Sequence, residues 1–338
     1  MNWLALDIGG ANVKIADGET FATSYPFALW KDKERLAREL RSAIAESPPH
    51  DHLVVTMTGE LADCFAHKEE GVAFILQAVN EAADGRHTRV YLVDGHLVSP
   101  QVALTRPLDA ASANWHALAR FSARYAGSRP AWLIDIGSTT TDFIPLVDGQ
   151  PLPVGRTDLE RLMSGHLVYT GIERSPICAL VQTLPYRGAE CSVAQELFAT
   201  TRDVYLLKGD LPEISHDRHT ADHQPATRAA ACRRLGRMLS ATEQQFTMDD
   251  AVVCARHVAH AQMTLLATAA QRVLQSLGTG TPEVAILSGH GDFLARRLLK
   301  TLSWHGEIVS LVDRLGPSVS RCATAHALAV LAKECTDH

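Results

Sequence analysis

Two stretches of this chain carry one pattern. Residues 4–15 read Leu-Ala-Leu-Asp7-Ile-Gly9-Gly10-Ala-Asn12-Val-Lys14-Ile, and residues 132–143 read Trp-Leu-Ile-Asp135-Ile-Gly137-Ser138-Thr139-Thr140-Thr141-Asp142-Phe. Asp7 matches Asp135, Gly9 matches Gly137, Gly10 matches Ser138, Asn12 matches Thr140 and Lys14 matches Asp142, at one offset and without a gap. Each stretch is an apolar run ending in an acid, a small polar turn and a second apolar run, the pattern of a β-hairpin with a polar tip. Glycine lets the backbone bend where a side chain would obstruct it. An internal repeat of this kind predicts two related half-structures facing each other. Two such tips opening on one cleft would grip a polyphosphate from both sides. Ser138, Thr139 and Thr140 would supply N–H and O–H donors to an anion. Asp7 and Asp135 at the strand ends would hold a hydrated Mg²⁺ that also touches phosphate.

The chain has 338 residues, enough for two domains of ordinary size. A net charge of −6 gives no reason to expect nucleic acid as partner, so phosphate must be met by local donors and a metal ion. No window reaches eighteen uncharged apolar residues, and the nearest, 251–270, contains Arg256, His257 and His260. With no membrane span and no leader pattern at the N-terminus, cytoplasmic residence is expected. The seven cysteines form no CxxC pair, which suits reduced thiols.

Periodicity predicts an α/β chain. Strands are expected over 2–14, 21–27, 52–57 and 90–93, with helices over 32–46, 71–83 and 109–125 between and after them. Gly127-Ser-Arg-Pro130 reads as a joint, giving a first lobe over 1–127 and a second over 131–319. A closing segment, 320–338, is placed to return to the first lobe. In the second lobe a helix is expected over 158–164 and a strand pair over 167–186. Further helices are expected over 193–201, 226–239, 249–277 and 293–302, and strands over 284–287 and 308–311. Residues 209–225 are polar and turn-rich, and read as a long loop.

Other motifs are open to two readings. Ser288-Gly289-His290-Gly291-Asp292 follows a strand and opens a helix. Gly289, Gly291 and Asp292 could complete a nucleotide-like site, or form an ordinary glycine turn. Glu60, in Thr58-Gly59-Glu60, is a candidate general base or an acid complementing a helix dipole. His216, His219 and His223 share a loop with Asp217 and Asp222. No cysteine is near in sequence, so a solvated loop is expected rather than a zinc site. Walker, Gly-x-Ser-x-Gly and HExxH motifs are missing, which removes support for P-loop and serine-hydrolase chemistry.

Together these motifs resemble the acetate/sugar kinase–Hsp70–actin superfamily. The resemblance implies two ribonuclease-H-like lobes around a central cleft, with two phosphate hairpins and an adenosine-side glycine loop. Asp7-Ile-Gly9-Gly10, Asp135 to Asp142, and Ser288 to Asp292 would take those three roles in order. The form Gly137-Ser-Thr-Thr-Thr-Asp142 is similar to the hydantoinase/oxoprolinase branch. A closer likeness runs through Thr56–Asp63, Ala113–Ala119, Gly155–Asp158, Leu167–Gly171, Arg174–Pro176 and Glu196–Asp203. These are similar to a family of tetrahydromethanopterin-linked one-carbon transfer pathway proteins, whose archaeal relatives include a methanofuran-biosynthesis enzyme. That enzyme joins an aminomethylfuranmethyl diphosphate to γ-glutamyltyramine and releases diphosphate.

The likeness implies a transferase that uses Mg²⁺ at Asp7 and Asp135, with Asp142 and Glu60 as further catalytic acids. Gly9, Gly10, Asn12, Lys14, Gly137 and Ser138 to Thr140 would bind phosphate. Asn114, Trp115 and Arg174 would contact a phenolic acceptor of the tyramine or tyrosine type. Two alternatives stay open: an ATP-dependent kinase or ligase with the same clamp, and a non-catalytic nucleotide-gated binding protein. Whether the chain forms a homo-oligomer is open as well.

Overall fold

The computed structural model describes residues 2–152, 155–277 and 281–336. The first sheet contains β1 (Trp3–Ile8), β2 (Asn12–Ala16), β3 (Ala22–Pro26), β4 (His52–Met57), β5 (His87–Tyr91) and β6 (Leu97–Val98), in the order β3-β2-β1-β4-β5-β6. The turn between β1 and β2 is too short for a crossover, so the two strands run antiparallel. Helices Leu36–Ala45 and Lys68–Ala83 precede β4 and β5, and these strands run parallel to β1 and to each other.

The second half repeats the plan. It contains β7 (Ala131–Ile136), β8 (Thr141–Val147), β9 (Gln150–Pro151), β10 (Leu167–Val168), a separate hairpin β11 (Thr183–Tyr186) and β12 (Ala189–Ser192), then β13 (Val284–Ser288) and β14 (Glu307–Ser310). The sheet order is β10-β8-β7-β13-β14, with β9 on the edge of β8. Strands one to five of each half therefore lie in the order 3-2-1-4-5. The turns match in detail. Gly9 N–H donates to Asn12 O at 2.9 Å, and Gly137 N–H donates to Thr140 O at 2.9 Å. Lys14 pairs with Asp7 in register, and Asp142 pairs with Asp135.

One apolar core joins the two sheets. Trp3, Ala5 and Val54 from the first and Leu133, Ile144 and Ile286 from the second meet helices Asn114–Ser122 and Ala323–Thr336 between them. Small residues on the latter, including Ala325, Ala327 and Ala329, allow close approach. This last helix packs on β1, β2 and β4. The outer faces are covered separately, the first by Leu36–Ala45 and Lys68–Ala83, the second by Met248–Ser276 and Asp292–Thr301. Between β10 and β13, the β11–β12 hairpin, helices Thr201–Lys208 and Arg228–Arg237 and the start of Met248–Ser276 enclose a satellite core.

Three local expectations are corrected. The helix expected over 109–125 is broken. Helix Pro107–Ala110 ends, Ser112 takes a left-handed φ of 48°, and a new helix starts at Asn114. The cause is tertiary: the Ser112 hydroxyl is tied to two carboxyl groups described below. The helix expected over 193–201 instead begins at Thr201, where Thr200 N–H donates to the Asp203 carboxylate at 3.0 Å. Residues 169–176 form a loop rather than a strand pair, because their backbone docks on the β7–β8 turn. Ile172 N–H donates to Gly137 O, and Glu173 and Arg174 N–H groups donate to Ser138 O, each at 3.0 Å.

The first lobe contains a close contact that can be tested. A Cβ on Gly71 would lie 2.6 Å from Glu60 Cα and from Glu60 O, backbone atoms that cannot swing aside. Gly71→Ala removes a helix-interior glycine, a change worth up to about 1 kcal/mol in favour of the helix. Overpacking costs about 1–3 kcal/mol and outweighs it. Thermal unfolding should show a lowered Tm for this variant. An unchanged or raised Tm would mean that the helix does not press on Glu60.

Candidate active site

Both hairpin tips open on one cleft, and the acids at their bases sense each other. Asp7 is 4% exposed, and its Oδ1 has no hydrogen-bond partner. Burial pushes its pKa up and Lys14 pulls it back. Asp135 is only partly buried, and its pKa is raised first by burial and further by Asp7, while Ser288 and Lys14 lower it. Lys14 thus acts on both acids.

The symmetry extends to the neighbouring parallel strands. Thr56 of β4 lies beside Asp7 in register, and Ser288 of β13 lies beside Asp135. Both hydroxyls are buried without completing a hydrogen bond. Asp7 Oδ1, Thr56 Oγ1 and Ser288 Oγ are thus three buried polar atoms at the acid pair that lack a partner in full hydrogen-bond geometry. Among the described residues no group of three or more His, Cys, Asp or Glu side chains is arranged to hold a metal ion. A two-carboxylate site suits Mg²⁺, which keeps several waters and takes further oxygens from substrate phosphates. The residues present therefore fit that ion.

The tips themselves are open to ligand. A Cβ at Gly10 would meet nothing within 4 Å. Ser138 Oγ and Thr139 Oγ1 lie 3.4 Å apart at the second tip, where Gly137 and Thr140 close the turn. The third loop is pressed against this tip. Gly289 has φ +83°, and a Cβ there would stand 2.3 Å from Ile136 O and 2.7 Å from Asp135 Oδ1, so only glycine fits. Gly291 N–H donates to Ile136 O at 2.9 Å. Asp292 faces its own lobe, accepting from Ser310 Oγ at 2.7 Å and Arg296 Nε at 2.6 Å. Beside Gly289 and His290 lies a cavity of about 260 Å³, bounded by the 172–173 loop, residues 211–214 and helix Leu311–Ser320.

A second polar group bridges the lobes at the other side of the acid pair. Ser112 Oγ lies 2.8 Å from Glu60 Oε1 and 2.8 Å from Asp158 Oδ2. One hydroxyl has one proton, so it cannot donate to both, and one carboxyl group must donate to it. Asp158 is paired with Lys68 at 2.8 Å and faces Arg161 at 3.6 Å. Glu60 is 1% exposed, and burial raises its pKa. Glu60 therefore carries the shared proton at rest. A neutral acid sealed beneath helix Lys68–Ala83 is not poised to deprotonate a substrate.

Arg161, buried itself, ion-pairs with Asp142 and lies 4.2 Å from the centre of the Trp115 ring. Burial raises the pKa of Asp142 while Arg161 lowers it. Trp115 is 7% exposed and belongs to the interlobe core. Asn114 Oδ1 accepts from Trp115 N–H at 2.8 Å. Arg174 is exposed and stacks across the cleft over Trp30 at 5.2 Å. In the histidine loop, Asp217 pairs with Arg202, and Asp222 pairs with Arg234 and Arg237.

Thr56, Ser112, Asp158, Arg161 and Ser288 were not singled out for a role by sequence. Thr56, Asp158 and Ser288 stood inside quoted motifs, and a search for register-matched hydroxyls beside each repeat acid would have found Thr56 and Ser288. Nothing in sequence points to Ser112.

Two lobes of one plan, closing on paired strand-end acids, define the actin/sugar-kinase class of fold. Within it, the chain belongs to the hydantoinase/oxoprolinase family, whose profile matches residues 51–334. It is 30% identical over 337 residues, 99% of this chain and 98% of the relative, to the (4-{4-[2-(γ-L-glutamylamino)ethyl]phenoxymethyl}furan-2-yl)methanamine synthase of Methanocaldococcus jannaschii. The synthase of the same name from Methanococcus vannielii is 29% identical over 203 residues, 60% of this chain and 90% of the relative. Among solved structures, a nucleotide-free acetone carboxylase aligns with a TM-score of 0.55, covering 97% of this chain and 70% of that chain at 11% identity. No helix among the described residues is long and apolar enough to cross a membrane.

The proton on Glu60 predicts a pH signature. A carboxyl group whose folded pKa is raised stabilises the fold below its unfolded pKa, and that contribution is lost as pH rises through the folded value. Glu60→Gln keeps a neutral partner for Ser112 and removes the titration. Its Tm relative to wild type should therefore rise steadily as pH increases from about 4.5, the ordinary glutamate value. A Tm difference that does not change with pH would show that Glu60 is ionised in the fold.

Proposed function

We propose that this chain joins an aminomethylfuranmethyl diphosphate to a phenolic acceptor of the γ-glutamyltyramine or tyrosine type, releasing diphosphate. The observation that carries this reading is the end-to-end likeness to synthases whose named product has a phenoxymethyl link to a furan. The cleft suits the chemistry. The phenol oxygen forms a bond to the furan CH₂, the C–O bond to diphosphate breaks, and the diphosphate leaves with the electron pair while the phenol loses its proton. Such a step is limited by charge building on the leaving group, and preorganised donors stabilise that charge. Ser138, Thr139 and Thr140 at one tip and Gly9, Gly10 and Asn12 at the other surround it, and Lys14 adds a positive charge. Mg²⁺ held between Asp7 and Asp135 would neutralise much of the remainder. The buried Oδ1 of Asp7, which has no hydrogen-bond partner within the protein, is a carboxylate oxygen that a metal-bound water would complete.

Two measurements test this. Purified protein with Mg²⁺, the furan diphosphate and a phenolic acceptor should release diphosphate in step with ether formation. ADP formation from ATP that depends on an acceptor, with no diphosphate from the furan substrate, would establish a kinase instead. Separately, Asp135→Asn should lower diphosphate release by about two orders of magnitude or more. Its stability should stay within about 1 kcal/mol, because relief of the Asp7 repulsion offsets what is lost. A variant that unfolds readily yet turns over normally would reduce Asp135 to a turn-shaping role.

A further inference from the structure

We propose that the cavity beside Gly289 is a primary-amine site, and that Glu173 is the residue that recognises the ammonium group. Four charged side chains line this cavity: Glu173, Arg202, Asp292 and Arg321. Two are already used. Arg202 donates to His219 O at 2.9 Å and pairs with Asp217, and both Asp292 oxygens accept from neighbours. The carboxylate of Glu173 and the guanidinium of Arg321 form no hydrogen bond or ion pair among the described residues. Arg321 and Lys14 both act on His290 and, with burial, hold its imidazole neutral, so Glu173 and Arg321 are the two lining side chains whose charge is not already paired. The inner loop presents the negative charge of Glu173.

Glu173 is also held in place. Its N–H donates to Ser138 O at 3.0 Å, and its carbonyl accepts from Arg202 N–H at 3.2 Å. The loop beneath it is braced by a buried chain in which Tyr205 donates to Gln262 at 2.6 Å, and Gln262 donates to Thr170 Oγ1 at 2.8 Å and Gly171 O at 2.9 Å. A carboxylate without a partner, carried on a braced loop, is placed to select its ligand. An ammonium group returns a charge-assisted hydrogen bond, whereas a neutral hydroxyl or adenine ring returns less. Ile172, Leu211, Ile214 and Val312 supply apolar wall for a small ring. At about 260 Å³ the cavity is smaller than the 300 Å³ or more usual for drug-sized ligands. It therefore suits a furan ring and leaves the larger acceptor to the open cleft. A ligand that carries both an anionic and an ammonium group would meet Arg321 and Glu173 in this cavity. The identity of that ligand rests on the reaction proposed above, while the amine preference can be measured without it.

The test uses the intact protein and two small probes, furan-2-ylmethanamine and furan-2-ylmethanol, with binding followed by calorimetry or ligand-observed NMR. Wild type should bind the amine about tenfold or more tightly than the alcohol, and Glu173→Gln should lose that preference. Equal binding of both probes, or a preference that persists in Glu173→Gln, would overturn the assignment. So would displacement of neither probe by the furan diphosphate. In turnover, Glu173→Gln should raise KM for the aminomethyl diphosphate with little change in kcat, and leave KM for the des-amino diphosphate unaltered. Glu173-dependent amine binding without any diphosphate release would sustain the amine site and remove the proposed reaction. Diphosphate release with the same KM in both proteins would do the reverse.

Discussion

Two like charges held at one cleft set the terms for this structure. Asp7 and Asp135 end strands in opposite lobes, both are desolvated, and Asp7 makes Asp135 harder to ionise. Folding places them there because the backbone leaves the tips little freedom: each turn closes on a glycine N–H, and Gly289 packs against the base of the second tip. Lys14 offsets part of the repulsion. The remaining imbalance sits beside the buried hydroxyls of Thr56 and Ser288, on the strands next to the two acids.

That arrangement requires two lobes held at a set distance, and two kinds of contact do this. Alanine-rich helices bring the sheets together through a continuous apolar core. Across the cleft edge, the Lys68–Asp158 pair and the stacking of Arg161 on Trp115 join residues of opposite lobes. Arg161 then holds Asp142, the register partner of Asp135. A buried pair of this sort adds little net stability over apolar packing, but losing one member leaves an uncompensated charge in the interior. Its contribution is to fix geometry next to the acid pair.

Burial also decides which acids in the cleft can meet a ligand. Glu60 and Glu173 are both glutamates on loops at strand ends, one in each lobe. Glu60 is covered by a helix, hydrogen-bonds to Ser112 and has its pKa raised by burial. Glu173 is partly exposed and rests on the β7–β8 turn through its backbone, and its carboxylate has no partner among the described residues. Sequence alone singled out Glu60, which follows a buried strand, as either a general base or an acid complementing a helix dipole.

The repeat at Asp7 and Asp135 was legible in the chain because hairpin tips are local. Their glycines, small polar residues and flanking apolar runs are read from a dozen residues, and two copies at one offset imply paired lobes. The buried strands and the long helix at 248–276 were legible for the same reason, since their periodicity is local. What lay beyond the sequence depended on contacts between distant segments. Ser112 breaks a helix whose pattern is continuous, because carboxyl groups 52 and 46 residues away bind its hydroxyl. Residues 167–186 suggest a strand pair turning at Arg174-Ser-Pro176, yet residues 172–174 dock on a turn some thirty residues earlier, and this gives Glu173 its place. The sequence by itself determined where the phosphate-type tips are and that they come in pairs, since short-range sterics govern turns. Only the tertiary structure decided which acids are charged and open, because burial and long-range hydrogen bonds set that, and neither has a local signature.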